Sequence, residues 1–335
     1  MKKVAHDKYS TSTKWCLIKV LFFISPFISQ AQLQQNDRLE IPLLRNENSF
    51  EVLPTRDEGI VLYREIAKPT QGFQIIHVDT LFKQKWAGLL PVDFRMQLAH
   101  VKEANKKSYF LFHRKDFSEV NFYIYEVELS TGDFQLYKVD NFIPFAPTHF
   151  EITKAGVLIG GYFVGHIPIV LFFDFSILKS KILPGLFNES GELNQIKINE
   201  DDSFSVLINS KNFSKQKTLW IRNYSGRGDL IHNSTLAPHE GSSLLFGRIL
   251  SLNKETQIIA GVYGNRNSDF SRGIFLARID SGSNQQLLYY PFTEMQNFFK
   301  YMKAKREKRV VERIERKKIK GKKIRLQYRF LVHEF

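Results

Sequence analysis

The chain has 335 residues, of which 43% are hydrophobic and 14% aromatic, and a formal net charge of +14. That apolar content sustains a folded core and excludes a disordered chain. A single cysteine excludes a disulfide framework and a thiolate zinc site. No apolar run approaches the roughly 18 residues that span a bilayer, which excludes a multi-span helical membrane protein.

The charge is uneven. Residues 1–31 carry a net +4, residues 300–329 a net +12, and the rest a net −2. The high basicity therefore belongs to two short segments and says nothing of the body of the fold.

Residues 1–19 are basic and polar, Val20 to Ile28 form a short apolar core, and Ser29-Gln30-Ala31 supplies small residues at the −3 and −1 positions of a peptidase site. That order reads as a secretory signal peptide over 1–31, cleaved after Ala31 to leave Gln32 as the first residue. An apolar stretch of about nine residues that contains Pro26 is too short for an anchor helix. Cys16 precedes the apolar core and follows Trp15, so it is not a lipidation cysteine, and the processed chain holds no thiol. Export to the periplasm, the outer-membrane surface or the medium is the resulting expectation.

From residue 32 to 291 the chain repeats. Apolar strands at Ile60–Tyr63, Tyr109–Phe112, Val157–Gly160, Phe204–Leu207 and Ile258–Gly261 start 49, 48, 47 and 54 residues apart. Each is taken as the first strand of a unit. A second apolar strand follows in register: Phe73–Val78, Phe122–Val127, Ile169–Phe173, Thr218–Ile221 and Gly273–Ile279. A weaker third strand follows after a polar turn such as Ser130-Thr131-Gly132-Asp133, a hairpin signal. Units of three or four short strands with no intervening helix cannot bury both faces alone, and stacking them does so. The fold class is therefore all-β, a β-propeller of about five or more four-stranded blades, with a series of two-sheet sandwiches as the rival. Gly160-Gly161-Tyr162 and Gly261-Val262-Tyr263-Gly264 echo one another, but no Trp-Asp or double-glycine blade consensus recurs.

The signal, together with the repeat pattern of residues 39–290, resembles exported bacterial proteins of β-propeller-like architecture. The resemblance implies that architecture and carries no active residues across.

After Tyr290-Pro291 the period fails. Thr293 is a candidate N-cap with Glu294 in the first turn. Met295, Phe298, Phe299, Met302, Val310 and Ile314 recur at helical spacing, predicting a basic amphipathic helix within 292–321 that ends at Gly321. Lys303–Glu307, Lys308–Glu312 and Glu312–Arg316 stand at i,i+4. Residues 322–335 alternate like a strand, which either closes the ring against Leu39-Glu40-Ile41 or begins a further, truncated blade.

Local catalytic motifs are missing. His239-Glu240 and His333-Glu334 lack the second histidine of a helical metal site, and no nucleophile elbow or phosphate loop with lysine occurs. His77 and His113 fall on or beside strands, as structural histidines; His149, His166, His232 and His239 fall in expected loops. Glu200-Asp201-Asp202 reads as a surface acidic turn rather than a calcium loop. No catalytic, metal or cofactor residue is assigned and no cofactor is expected. The candidate anion-binding residues are Lys300, Lys303, Lys305, Arg306, Lys308, Arg309, Arg313, Arg316, Lys317, Lys318, Lys320, Lys322 and Lys323. The export signal argues against nucleic acid, leaving an envelope protein, a glycan or an anionic lipid surface as partner. The plainer alternative is a solvated helix docked by Phe298, Phe299 and Met302 with no ligand. The function expected is a non-catalytic binding or scaffold protein of the cell envelope. The alternative is a propeller hydrolase or lyase acting on envelope or environmental polymers.

Overall fold

The structure, a computed structural model, describes residues 38–42, 47–66, 72–116, 119–186, 190–251, 256–266, 268–280, 285–322 and 324. The signal segment, with Ala31 and Gln32, lies outside these residues, as do Lys323 and the alternating segment from 325 onward.

Twenty strands form five four-stranded antiparallel sheets. Blade one holds β1 (Glu51–Thr55), β2 (Gly59–Ile66), β3 (Gly72–Val78) and β4 (Gln84–Leu90). Blade two holds β5 (Met96–Ala104), β6 (Lys107–Arg114), β7 (Phe122–Glu128) and β8 (Phe134–Val139). Blade three holds β9 (Ala146–Ile152), β10 (Gly156–Phe163), β11 (Ile167–Asp174) and β12 (Lys179–Ile182). Blade four holds β13 (Gly191–Ile198), β14 (Phe204–Lys211), β15 (Lys217–Tyr224) and β16 (Leu230–Leu236), and blade five β17 (Ser242–Ser251), β18 (Thr256–Asn265), β19 (Ser271–Asp280) and β20 (Gln285–Pro291). Each blade is a meander in sequence order, and the first strands adjoin in series, β1 with β5, β5 with β9, β9 with β13 and β13 with β17. This is a five-blade propeller-like array. No comparable contact joins β17 to β1 among the described residues.

The apolar runs of the sequence are the two middle strands of each blade, since those strands are buried on both faces. Between blades one and two, Val61, Tyr63, Phe73 and Ile75 meet Phe110, Phe112, Tyr125 and Val127. Between two and three, Leu111 and Ile124 meet Val157, Ile169 and Phe173. Between three and four, Leu158, Val170 and Phe172 meet Phe204, Val206 and Tyr224, and between four and five, Leu219 and Ile221 meet Ile259 and Phe275. Each such side chain contributes about 1.5–3 kcal/mol by leaving water. The outer face of blade one, Leu62, Ile76 and Val78, is covered by Ile41 and Phe50.

Two sequence expectations are corrected here. The strand read as first in each unit is the second: the true first strands, β1, β5, β9, β13 and β17, precede it. Four of them carry an extra residue that breaks their pairing, Ala99, Thr148, Asn194 and Leu245. A bulge destroys the two-residue alternation by which a half-buried strand is recognised. The glycine echo belongs to the same feature. A Cβ on Gly161 would lie 2.4 Å from the Ala146 carbonyl oxygen, and one on Gly261 2.0 Å from that of Phe246, so glycine lets the bulged strand approach. His149 and His232 are accordingly on strands, β9 and β16, rather than in loops.

The second correction is the helix start. Helix α1 runs Ala304–Ile319, with Lys303 as an N-cap that makes no side-chain bond. Residues 292–302 pass instead through turns in which Asn297 has φ 67°, a left-handed conformation no helix continues through. The end is as expected. Gly321 takes φ 58°, its N–H donates to Lys318 O at 3.0 Å, and Lys322 N–H donates to Lys317 O at 2.9 Å, a Schellman closure.

Candidate functional site

Helix α1 carries eight Lys or Arg against three Glu, a net +5 over sixteen residues. Ile314 is buried, with Val310 and Val311 partly buried beside it, so one apolar stripe seats the helix. Phe299 is buried in the preceding turn, and Lys318 Nζ donates to the Thr293 carbonyl oxygen at 3.3 Å. The remaining surface is cationic. Lys305, Arg306, Lys308, Arg309, Arg313, Arg316 and Lys318 are exposed, as are Lys300, Lys303, Lys320 and Lys322 on either side; Lys317 is half-buried. The expected i,i+4 ion pairs do not close. Arg316 Nε donates to the Glu312 carbonyl oxygen at 3.2 Å instead, and none of these cations has a carboxylate within 4 Å among the described residues. The structure thus brings twelve of the thirteen sequence-assigned cations into one described segment, where none of them is ion-paired with a described residue.

Sequence reasoning missed a second constellation, on the inner strands. In blades two, three and four the residue after the bulge reaches the next inner strand. From blade two, His100 Nε2 lies 3.3 Å from Pro147 O. From blade three, His149 faces the Asn194 carbonyl oxygen, toward which its ring N–H donates. From blade four, Gln195 Oε1 accepts Ile249 N–H at 2.7 Å. Lys102 of β5 also pairs with Glu151 of β9. Burial pushes the pKa of both His100 and His149 down. The positive charges of His100, Arg248 and Lys102 add to the shift of His149, and that of Lys102 adds to the shift of His100. His100, His149 and Gln195 are 49 and 46 residues apart, the blade period, but the signal becomes readable only once the bulged strands are placed. These contacts hold blade to blade and make no nucleophile–base pair.

The other histidines are spent locally. His77 is fully buried, with Nε2 2.9 Å from Glu58 O; His166 stacks on Tyr162 at 4.1 Å and lies 3.0 Å from Glu192; His239 packs on Tyr289. In the acidic turn, Asp202 accepts the Lys154 N–H at 2.9 Å and Asp201 accepts the N–H and hydroxyl of Ser203. No group of three His, Cys, Asp or Glu among the described residues is placed to hold a metal, and no described helix is long and apolar enough to cross a membrane.

No protein-family model and no curated protein matches the chain. Among solved structures it is similar to prolyl oligopeptidase B from Galerina marginata, at 15% identity and TM-score 0.45, over 73% of this chain and 34% of that one. It is also similar to the Synechocystis apocarotenoid oxygenase, at 8% identity and TM-score 0.42, over 72% and 63%. A third is the Pyrococcus horikoshii acylaminoacyl peptidase, at 9% identity and TM-score 0.38, over 58% and 32%. The chain spans about a third of the length of the first of these. At such identities and scores none of the three assigns an activity.

Proposed function

We propose that the protein is exported and acts in the cell envelope as a non-catalytic binding protein, with α1 and its flanking turns as the element that meets an anionic surface. The observation that carries this reading is the net positive charge of the segment. Exposed cations, eight against three Glu on the helix and with no ion pair among the described residues, repel one another, and an external anionic layer relieves that repulsion. Near a lipid surface each Lys or Arg contributes about 1 kcal/mol, screened beyond roughly 8–10 Å at moderate salt. The propeller-like body supplies a rigid base, and its loops offer contacts to a protein or glycan partner.

The test is flotation of the processed protein with vesicles containing anionic lipid. The wild-type chain partitions onto them and the Arg306→Gln, Arg309→Gln, Arg313→Gln, Arg316→Gln variant does not. Equal partition of the two, or turnover of an envelope polymer by either, overturns the proposal.

A further inference from the structure

The connections of the array fall at two ends. At one end are the turns joining β1 to β2 and β3 to β4 and their equivalents in the other blades. At the other are the connections from β2 to β3, their equivalents, and the links from blade to blade. The blades keep one orientation, because equivalent segments meet. At the first end Arg56 lies 3.9 Å from Glu103, and the Lys154 N–H donates to Asp202 at 2.9 Å. At the second end Lys115 lies 3.7 Å from Glu65, and the Gly191 N–H donates to His166 O at 3.0 Å.

The second end carries large apolar side chains on its tips. Phe94 and Phe142, in the links after blades one and two, are 60% and 88% exposed. Val164, in the β10–β11 turn, is 76% exposed, and Phe213, in the β14–β15 turn, is fully exposed. The backbones that carry the rings are pinned. Asp93 accepts the Arg95 N–H at 2.9 Å around Phe94. Asn141, itself buried, donates to Val120 O at 3.1 Å and to Ile143 O at 2.6 Å beside Phe142. Under Phe213 the Gln216 N–H donates to Asn212 Oδ1 at 2.9 Å. Scattered surface apolar residues are ordinary, whereas four on the tips of separate connections at one end make a patterned surface. Cations reach the same end. β20 finishes there, Lys318 Nζ donates to Thr293 O just beyond it at 3.3 Å, and Lys318 and Lys322 share a cleft of about 270 Å³ with Arg272 and Pro291.

We infer that this end of the array seats on an anionic lipid bilayer, with Phe94, Phe142, Val164 and Phe213 entering the interface and the last turns of α1 meeting the headgroups. The inference rests on the reading of α1 as an anion-binding element and adds an apolar signal to it; stable anchoring at a membrane surface takes two signals. Tips that stand on separate connections suit a fluid layer that closes around each, whereas a protein partner needs one continuous, fully desolvated patch. Charge distinguishes the two ends. The opposite end exposes Phe82 and Ile177 as well, but in company with Glu200, Asp201, Asp202 and Asp229, which anionic headgroups repel.

The processed chain holds no thiol, so Phe142→Cys, Phe213→Cys and, from the opposite end, Phe82→Cys each take a single nitrobenzoxadiazole label. The full processed chain is mixed with vesicles of phosphatidylcholine and phosphatidylglycerol, with and without bromine on the acyl chains. The labels at 142 and 213 shift to the blue and are quenched by brominated lipid; the label at 82 does neither. Without label, Phe142→Ser and Phe213→Ser each weaken vesicle partition about threefold, and the pair about tenfold, while Phe82→Ser partitions as the wild type does. Circular dichroism and melting confirm that each variant is folded. Labels at 142 and 213 that stay in water on a chain that still binds the vesicles overturn the inference and leave the role of α1 standing. A wild-type chain that ignores the vesicles overturns both. Equal quenching at 82, or wild-type partition in the double serine variant, also overturns the inference. So does an equal blue shift with ovalbumin, an acidic protein, in place of the vesicles, which assigns the face to a protein partner.

Discussion

Tyr224 offers a sharp test of how the blades are locked together. It stands at the end of β15, fully buried, and its hydroxyl donates at 2.7 Å to the carbonyl oxygen of Pro184, in the segment that links blades three and four. Burial raises its pKa far above the usual phenol value, so the hydroxyl stays protonated and remains a donor at any accessible pH. Its ring stacks on Phe204 with centroids 5.2 Å apart. Tyr224→Phe keeps the ring and removes the oxygen alone, leaving the Pro184 carbonyl without this donor. The cost of an abandoned buried acceptor is about 1–3 kcal/mol. At about 2–4 °C per kcal/mol, the melting temperature falls by several degrees. Tyr125 in blade two makes the equivalent bond to Pro91 O, also at 2.7 Å. The two sites share no partner, so the double variant loses the sum of the single losses. Tyr290→Phe, on a 41% exposed side chain, serves as the control and melts with the wild type. A Tyr224→Phe protein that also melts with the wild type would refute the reasoning.

Three other outcomes follow from the structure. Both inner-strand histidines have pKa values held below the ordinary 6.5 by burial, so the unfolded chain binds their protons first as the pH drops. Their contribution is present above about pH 6.5 and lost as pH falls through the window beneath it; urea titrations at pH 7.5 and 5 would show a smaller difference in His149→Gln than in the wild type. Gly161→Ala drives a Cβ to 2.4 Å from both the Ala146 carbonyl oxygen and the Phe145 ring, and a loss of about 1–3 kcal/mol is expected by denaturant titration. In the β5–β6 hairpin, Asn105 and Lys106 both take positive φ, 53° and 61°. A two-residue turn of that hand favours glycine at its second position, so Lys106→Gly raises the melting temperature slightly.

What the sequence showed of the fold was set by burial. The middle strands, covered on both faces, appear as unbroken runs such as Val157-Leu158-Ile159 and Ile169 to Phe173, and their period discloses the repeat. The inner strands carry His100, Lys102, Glu151, Gln195 and Lys197 and are interrupted by bulges, so neither composition nor alternation marks them and the repeat frame slips by one strand. The basic segment was plain in the sequence because charge density needs no tertiary context. The helix start was not, because Met295, Phe298, Phe299 and Met302 occur at helical spacing yet lie in turns, with Phe298 stacked on Phe292. The bulge-following residues escaped notice because each meets its partner about one blade further along the chain. The part-exposed face of blade five escaped for another reason: in sequence Ile274 and Leu276 look like every other buried strand residue, and only the structure shows them about two-fifths exposed among the described residues.

The most direct measurement for the proposed role is the salt dependence of vesicle partition, compared between the wild-type chain and the variant with Gln at positions 306, 309, 313 and 316. At about 1 kcal/mol per arginine, the variant's partition coefficient at low salt should fall by two to three orders of magnitude, and its dependence on salt should flatten. Parallel curves of equal height would contradict an anionic-surface role for α1 and leave the helix a structural element of the fold.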